Sequence, residues 1–268
     1  MSDVTSPFTV ARRRLRWANE AIDEFGTDAQ TFLQDNPNAG FVTEDDPTTG
    51  HKIYKFVFTD DIPDHIFRKA TEVVELSKRV FDQSVYAACV AAGANVRSKD
   101  NTNFPWAETR EVVIEHRLSG RGRERIPEPI KSAIIGLKPY GVGEDCTSDD
   151  RISSQISSIS NRGHTVGLSM AITVNGGAYI ANATVGPGED FMAGPPEWDP
   201  VKKEAEIFRV SPKVFSEMQA NTYVKLDICF DEAGALKDLP FVHGMRVFTA
   251  KAEAVIQALE EKISAMRG

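Results

Sequence analysis

Cysteine is scarce in this sequence. Cys89, Cys146 and Cys229 lie far apart among 268 residues and form no C-x-x-C pair. So odd and sparse a set excludes a disulfide framework and points to reduced thiols. No histidine stands close to any of them and no zinc-site arrangement is visible, so no metal is expected. Long apolar runs are missing as well. The longest weakly polar stretch, Val85 to Val96, is rich in alanine and falls far short of the roughly 18 residues a bilayer span needs. Met1 to Pro7 is polar and carries no apolar core of a signal peptide. The expectation is a cytoplasmic protein with no membrane contact. Catalytic signatures are absent too: there is no G-x-S-x-G and no H-E-x-x-H. The glycine-rich stretches Tyr140 to Asp145 and Val185 to Asp190 lack the lysine and Ser/Thr of a phosphate loop, and no cofactor is expected. Positive charge is in deficit: 31 Lys and Arg stand against 39 Asp and Glu, a net charge of −8. That argues against nucleic-acid binding through a global basic field.

What is present is the patterning of a folded globular protein, with 41% hydrophobic and 26% charged residues. Ala11, Leu15, Ala18, Ile22, Phe25, Ala29 and Phe32 recur at alternating steps of four and three. This is one apolar stripe on a long helix, opened by Ser6-Pro7 and stopped at Asn36-Pro37. Gly26 inside the stripe predicts a weak point costing about 1 kcal/mol relative to alanine. Residues 41–59 read as a β-hairpin around the turn-rich Asp45 to Gly50. A second long helix follows Pro63 and ends near Gly93. Shorter helices are expected over 108–118, 127–137 and from the cap cluster Thr147 to Asp150 up to Asn161.

After Gly163 the period changes to two. Val166, Leu168, Met170, Ile172 and Val174 alternate, which predicts a strand with those residues facing the core. Asn175-Gly176 predicts a hairpin turn, with 178–185 as the returning strand. Strands are expected over 205–210, 224–230 and 240–243, and a final helix from Val247 or Phe248. Helices, then strands, then a helix is an α+β pattern: a helical core of several long helices, an appended antiparallel sheet and a C-terminal helix. The mainly helical part spans 1–164 and the sheet with the last helix 165–268, the two sharing one core.

Several short elements line up between residues 77 and 166: Lys78 and Asp82, Phe104-Pro105, Leu137-Lys138-Pro139-Tyr140, and Ser160-Asn161-Arg162-Gly163-His164. In this order they resemble a widespread group of uncharacterised bacterial α+β proteins. That group has a helix with Arg and Asp four apart, a Phe-Pro loop, a Leu-x-Pro-Tyr element and an Asn-x-x-Lys-His end. Here Lys78 stands where the group has arginine, and Gly163 where it has lysine. The resemblance implies a helical core with an appended sheet and implies no chemistry.

The candidate site residues fall into three sets. Lys78 and Asp82 share a helix face at i, i+4. If that helix packs on the next capped one, they meet Asn161, Arg162 and His164 in a polar cluster, and a histidine beside a carboxylate titrates near neutral pH. A network that simply locks the helices is the plainer reading. Arg110 and His116 have the spacing seen in HEPN-type ribonucleases, where the pair acts on a phosphate and a 2′-hydroxyl. Arg117, Arg121, Arg123 and Arg125 form a glycine-containing arginine loop suited to anions, although interleaved glutamates favour a solvated surface loop. A second basic stretch, Arg12 to Arg16, opposes the helix dipole and calls for acidic partners. Glu189, Asp190, Glu197 and Asp199 read as a solvated acidic loop. The pattern as a whole favours a non-catalytic binding or interaction module for a protein or small-molecule partner, with self-association left open. The competing reading is a HEPN-like endoribonuclease of a toxin or defence system.

Overall fold

A computed structural model describes residues 6–97, 100–162, 167–181, 191–194, 196–212 and 221–267. The apolar stripe forms helix α1, Thr9–Gln34, with Ala11, Leu15, Ala18, Ile22, Phe25 and Ala29 buried. Ser6 organises its start: its Oγ accepts the Phe8 N–H at 3.3 Å and its carbonyl accepts the Thr9 N–H at 2.9 Å. The helix runs unbroken through Gly26, because packing outweighs the propensity cost. Phe25 meets Phe241 with ring centroids 4.4 Å apart, and a Cβ at Gly26 would stand 3.5 Å from Val242.

Strands β1 (Ala39–Asp45) and β2 (Lys52–Phe58) form the expected hairpin. Asp46 builds the turn by accepting the Thr48 N–H at 2.9 Å and the Thr49 hydroxyl at 2.8 Å. Helix α2, Asp64–Ala91, packs along α1. A short strand β3 (Ala107–Thr109) leads into one helical turn, α3 (Arg110–Val112), and then a π-helical stretch, Val113–Leu118. Helix α4 (Glu128–Gly136), strand β4 (Tyr140–Val142) and helix α5 (Ser148–Arg162) follow. Strands β5 (Met170–Ala181), β6 (Phe191–Met192), β7 (Trp198–Asp199), β8 (Glu204–Val210) and β9 (Asn221–Phe230) precede the last helix, α6 (Phe241–Arg267).

The class is α+β, as the pattern predicts. β2 pairs with both β1 and β8, so the N-terminal hairpin continues the same antiparallel sheet as the C-terminal strands. β5 and β9 form a separate antiparallel pair, and β3 and β4 a short parallel one. Two apolar clusters result. The larger lies among α1, α2, α4, α5 and α6, and the smaller lies under Phe56, Phe58, Ile172, Ile207, Phe208 and Val210. Phe32, Leu33 and Ile62 pack against both.

Two local expectations are corrected. Asn175-Gly176 makes no hairpin turn. β5 runs straight through it and pairs with β9, and a bulge between Val174 and Ala178 absorbs the extra residues. The long partner strand overrides the local turn preference. Met170 and Ile172 are buried as the alternation predicts, while Val166 and the segment 182–185 lie outside the described residues. The strand expected over 240–243 is reduced to one bridge, Cys229 with Pro240. α6 starts at Phe241, where the close approach of Phe230 requires Gly244: a Cβ there would stand 2.8 Å from the ring.

Candidate functional site

The loop between α2 and β3 is fixed by a single peptide group. The N–H of Phe104 donates to Asp82 Oδ1 at 2.9 Å, and the carbonyl of Asn103, in the same peptide unit, accepts from Arg123 Nη1. Arg123 reaches it because the chain turns inward at Gly122, whose φ of 85° is left-handed backbone that glycine adopts freely. The Gly122 carbonyl also accepts the Asn101 N–H at 2.8 Å. The arginine loop is therefore not simply a solvated surface loop. Arg123 is only 5% exposed, and Arg125 bonds the Asn95 carbonyl and sits 3.2 Å from Asp100. Arg121 remains exposed.

Helix α5 closes the opposite wall. Asn161 Oδ1 accepts a hydrogen bond from Lys78 Nζ, which joins α5 to α2 as the cluster reading anticipates. Lys78, Asp82 and Asn161 are brought together. His164 lies outside the described residues, as does the side chain of Arg162. Arg117 and Arg123 take part instead. With Lys78, Asp82 and Asn161 they line a chamber of about 130 Å3.

A larger cleft of about 540 Å3 adjoins it, and Trp106, Arg117 and Asn161 line both. The walls of this outer cleft are the β3–β4 pair and the Ser154, Gln155 and Ser158 face of α5. α5 lies close to β4 because Gly141 has no side chain: a Cβ there would stand 2.9 Å from that of Ser154. Ser154 Oγ donates to the Ala107 carbonyl at 3.3 Å. Gln155 donates to the Ala233 carbonyl and accepts the Ala235 N–H at 2.9 Å. Trp106 is 7% exposed and packed edge-on to Phe81, with centroids 5.0 Å apart. Its indole N–H is buried with no hydrogen-bond partner among the described residues.

The inner chamber is lined by an excess of positive charge: three cations, Lys78, Arg117 and Arg123, and one carboxylate, Asp82, with Glu75 acting on Lys78 from outside the lining. Burial lowers the Lys78 ammonium from its ordinary value, against the opposing charges of Asp82 and Glu75. Burial likewise lowers Arg123, with Asp82 opposing. Burial raises the Asp82 carboxyl, although the Phe104 N–H, Lys78 and Arg123 pull it down. In all three groups desolvation exceeds the mutual attraction, so the two cations gain from an added anion. Cys89 lies near enough for its charge to interact with Arg123, but burial pushes its thiol up to about 11, and it is no nucleophile at neutral pH.

Sequence reasoning placed Arg117 in an arginine loop suited to anions but missed the parts played by Trp106 and by the polar face of α5. The detectable signal was Gly120 and Gly122 flanking arginines just ahead of the apolar Ile126, a pattern that folds a loop inward. Arg110 and His116 are exposed, and neither lines these two chambers. The winding changes from α to π at Val113, so their spacing does not translate into one α-helical face. In the first basic stretch, Arg12 pairs with Glu260 of α6, and Arg16 lies 3.6 Å from Glu20, so acidic partners are found within the fold. Glu189 and Asp190 lie outside the described residues, and Asp199 Oδ1 serves a turn by accepting the Val201 N–H at 2.9 Å. Among the described residues, no group of three metal-ligating side chains occurs and no helix is long and apolar enough to cross a membrane. No protein-family model, curated protein or solved structure matches the chain.

Proposed function

We propose that this protein is a binding module for a small polar molecule, which it takes into the two-chamber cleft between α2, the 101–106 loop, the arginine loop and α5. The supporting observation is that one continuous site is bounded by ties between distant segments: Lys78 to Asn161, the Asn103–Phe104 peptide to Asp82 and Arg123, and Gln155 to residues 233–235. A cleft held open this way loses little entropy on binding. Its combined size falls in the range of about 300–1,000 Å3 usual for small-molecule sites. The chemistry favours binding over catalysis, since the nearby thiol is held protonated and Lys78, Asp82 and Arg123 are each hydrogen-bonded to a neutral group: Asn161, the Phe104 N–H and the Asn103 carbonyl. The test is a screen of a water-soluble fragment library by NMR, read on the Trp106 indole N–H of the full chain. Fragments that shift this resonance are expected, and Ser158→Trp, which fills the outer cleft from the exposed face of α5, is expected to abolish the shifts without lowering the melting temperature. Shifts unaffected by Ser158→Trp, or a Trp106 resonance that no fragment moves, overturn the proposal.

A further inference from the structure

We infer that the inner chamber seats the phosphate of a phosphomonoester whose body is small and rich in hydroxyls, an inference that rests on the cleft being a ligand site. Charge comes first. Lys78, Arg117 and Arg123 against Asp82 leave two positive charges facing one small space. A phosphomonoester carries close to two negative charges at pH 7 and neutralises the chamber, whereas a carboxylate leaves one charge unmatched. Geometry agrees. Two guanidinium groups and an ammonium offer planar forks and a point charge, the donor set suited to phosphate oxygens. Asn101, Asn103 and Asn161, with the Phe104–Pro105–Trp106 wall, complete the lining.

Size is the second constraint. A chamber of about 130 Å3 has room for about four waters at ~30 Å3 each, one for each oxygen of a phosphate group. With a phosphate group seated there, the body of the ligand lies in the adjoining 540 Å3 cleft. That outer cleft is lined by Ser154, Ser158, Glu108 and Arg151, together with the small apolar Ala107 and Ala235. Donors and acceptors of both kinds are at hand, while the one tryptophan is occupied by its packing against Phe81, Phe104 and Phe248. Such walls suit hydroxyl groups and offer no free aromatic face for stacking a base. Arg117 lines both chambers and spans the junction between phosphate and body.

The experiment is calorimetric titration of the full chain with ribose 5-phosphate, inorganic phosphate, ribose and ribonate, with the Trp106 indole resonance reporting location. Ribose 5-phosphate is expected to bind at least tenfold tighter than inorganic phosphate and at least tenfold tighter than ribonate, and ribose not measurably. Arg117→Gln is expected to weaken ribose 5-phosphate at least tenfold. Arg121→Gln, which alters an exposed arginine outside the cleft, should leave it unchanged. Asp82→Asn removes the one negative charge and should tighten binding severalfold. Ribonate binding as tightly as ribose 5-phosphate overturns the phosphate assignment, as does equal affinity in wild type and Arg117→Gln. If library fragments shift Trp106 in a Ser158-dependent way but no phosphate does, the phosphate inference fails and the cleft reading stands. If neither moves Trp106, both fail.

Discussion

The wall that carries Ser154, Ser158 and Asn161 depends on Asp150, and removing its carboxylate should loosen that wall by a calculable amount. Thr147 and Asp150 cap α5 reciprocally. The Thr147 N–H and hydroxyl donate to Asp150 Oδ2 at 3.0 and 2.9 Å, and the Asp150 N–H donates to Thr147 Oγ1 at 3.2 Å. The other carboxylate oxygen, Oδ1, accepts from Lys251 of α6, in a pair whose side chains are 7% and 15% exposed. Asp150→Ala loses the carboxylate half of the reciprocal cap, worth about 1 kcal/mol, while the backbone N–H at 150 still donates to Thr147 Oγ1. It also strands the Lys251 ammonium. Breaking a fully buried pair costs about 3–5 kcal/mol, and the residual exposure of Lys251 reduces this to roughly 2. The expected loss is about 3 kcal/mol, read as a lower urea midpoint at unchanged m-value. Lys251→Met should recover about 2 kcal/mol of it in the double variant. Burial raises the Asp150 carboxyl, but the bonds from Lys251 and Thr147 outweigh this and hold it below its ordinary value. A lowered folded-state pKa gives stability that is present above the unfolded value of about 3.9 and is lost as pH falls through the folded one. The gap between wild type and Asp150→Ala should therefore narrow from pH 5 downward. Strict additivity of the two substitutions, or a gap that stays constant to about pH 2, well below the ordinary carboxyl range, would refute the reasoning.

Gly244→Val forces a side chain into the Phe230 ring, where even a Cβ stands 2.8 Å away, and should cost about 2–3 kcal/mol in urea unfolding. Gly122→Ala strains a backbone at φ 85° by about 1–2 kcal/mol and should weaken ribose 5-phosphate binding by displacing Arg123. Asp82, whose carboxyl burial raises, lowers stability as pH climbs from its unfolded value through its folded one. The melting temperature of Asp82→Asn relative to wild type should therefore rise between pH 4 and 7. No RNA binding tighter than about 10 μM is expected at physiological salt, because Arg12 and Arg16 are paired within the fold and Arg123 and Arg125 are turned inward. RNA cleaved by wild type and spared by His116→Ala overturns that expectation.

The sequence was most legible where one local rule acted alone. The stripe from Ala11 to Phe32 became α1 with every residue but Phe32 buried, and the chain on either side of the Asp45 to Gly50 stretch became the β1–β2 hairpin. It misled where two rules competed. Asn175-Gly176 is a strong turn signal, but a twelve-residue strand with a long partner gains more from its ladder than a local turn offers. The site was half legible. The i, i+4 pair of Lys78 and Asp82 gave one wall, and the cap of α5 placed Asn161 near the end of a second. The inward turn of the arginine loop depends on φ at one glycine and on a carbonyl twenty residues away, and neither has a period to read.

The inner chamber also goes against the stability of its own fold. Lys78, Asp82 and Arg123 are each pushed toward neutrality by burial, so apolar side chains of similar volume would pack there at lower free-energy cost. Locking α2 to α5 needs only one neutral hydrogen bond, which Asn161 with a serine or amide partner could supply. Arg123 has a structural part in holding the Asn103 carbonyl, but a purely structural network has no use for Arg117 as a further cation and would not leave a cavity at their meeting point. Arg117 sharpens the contrast: it is exposed and contributes little to the core, yet it lines both chambers. Excess charge of one sign, held in a preformed cavity at a cost to the fold, is what an anion site requires, because the ligand supplies the missing counter-charge on arrival. Saturating ribose 5-phosphate should accordingly raise the urea midpoint of the wild type, and by less in Arg117→Gln.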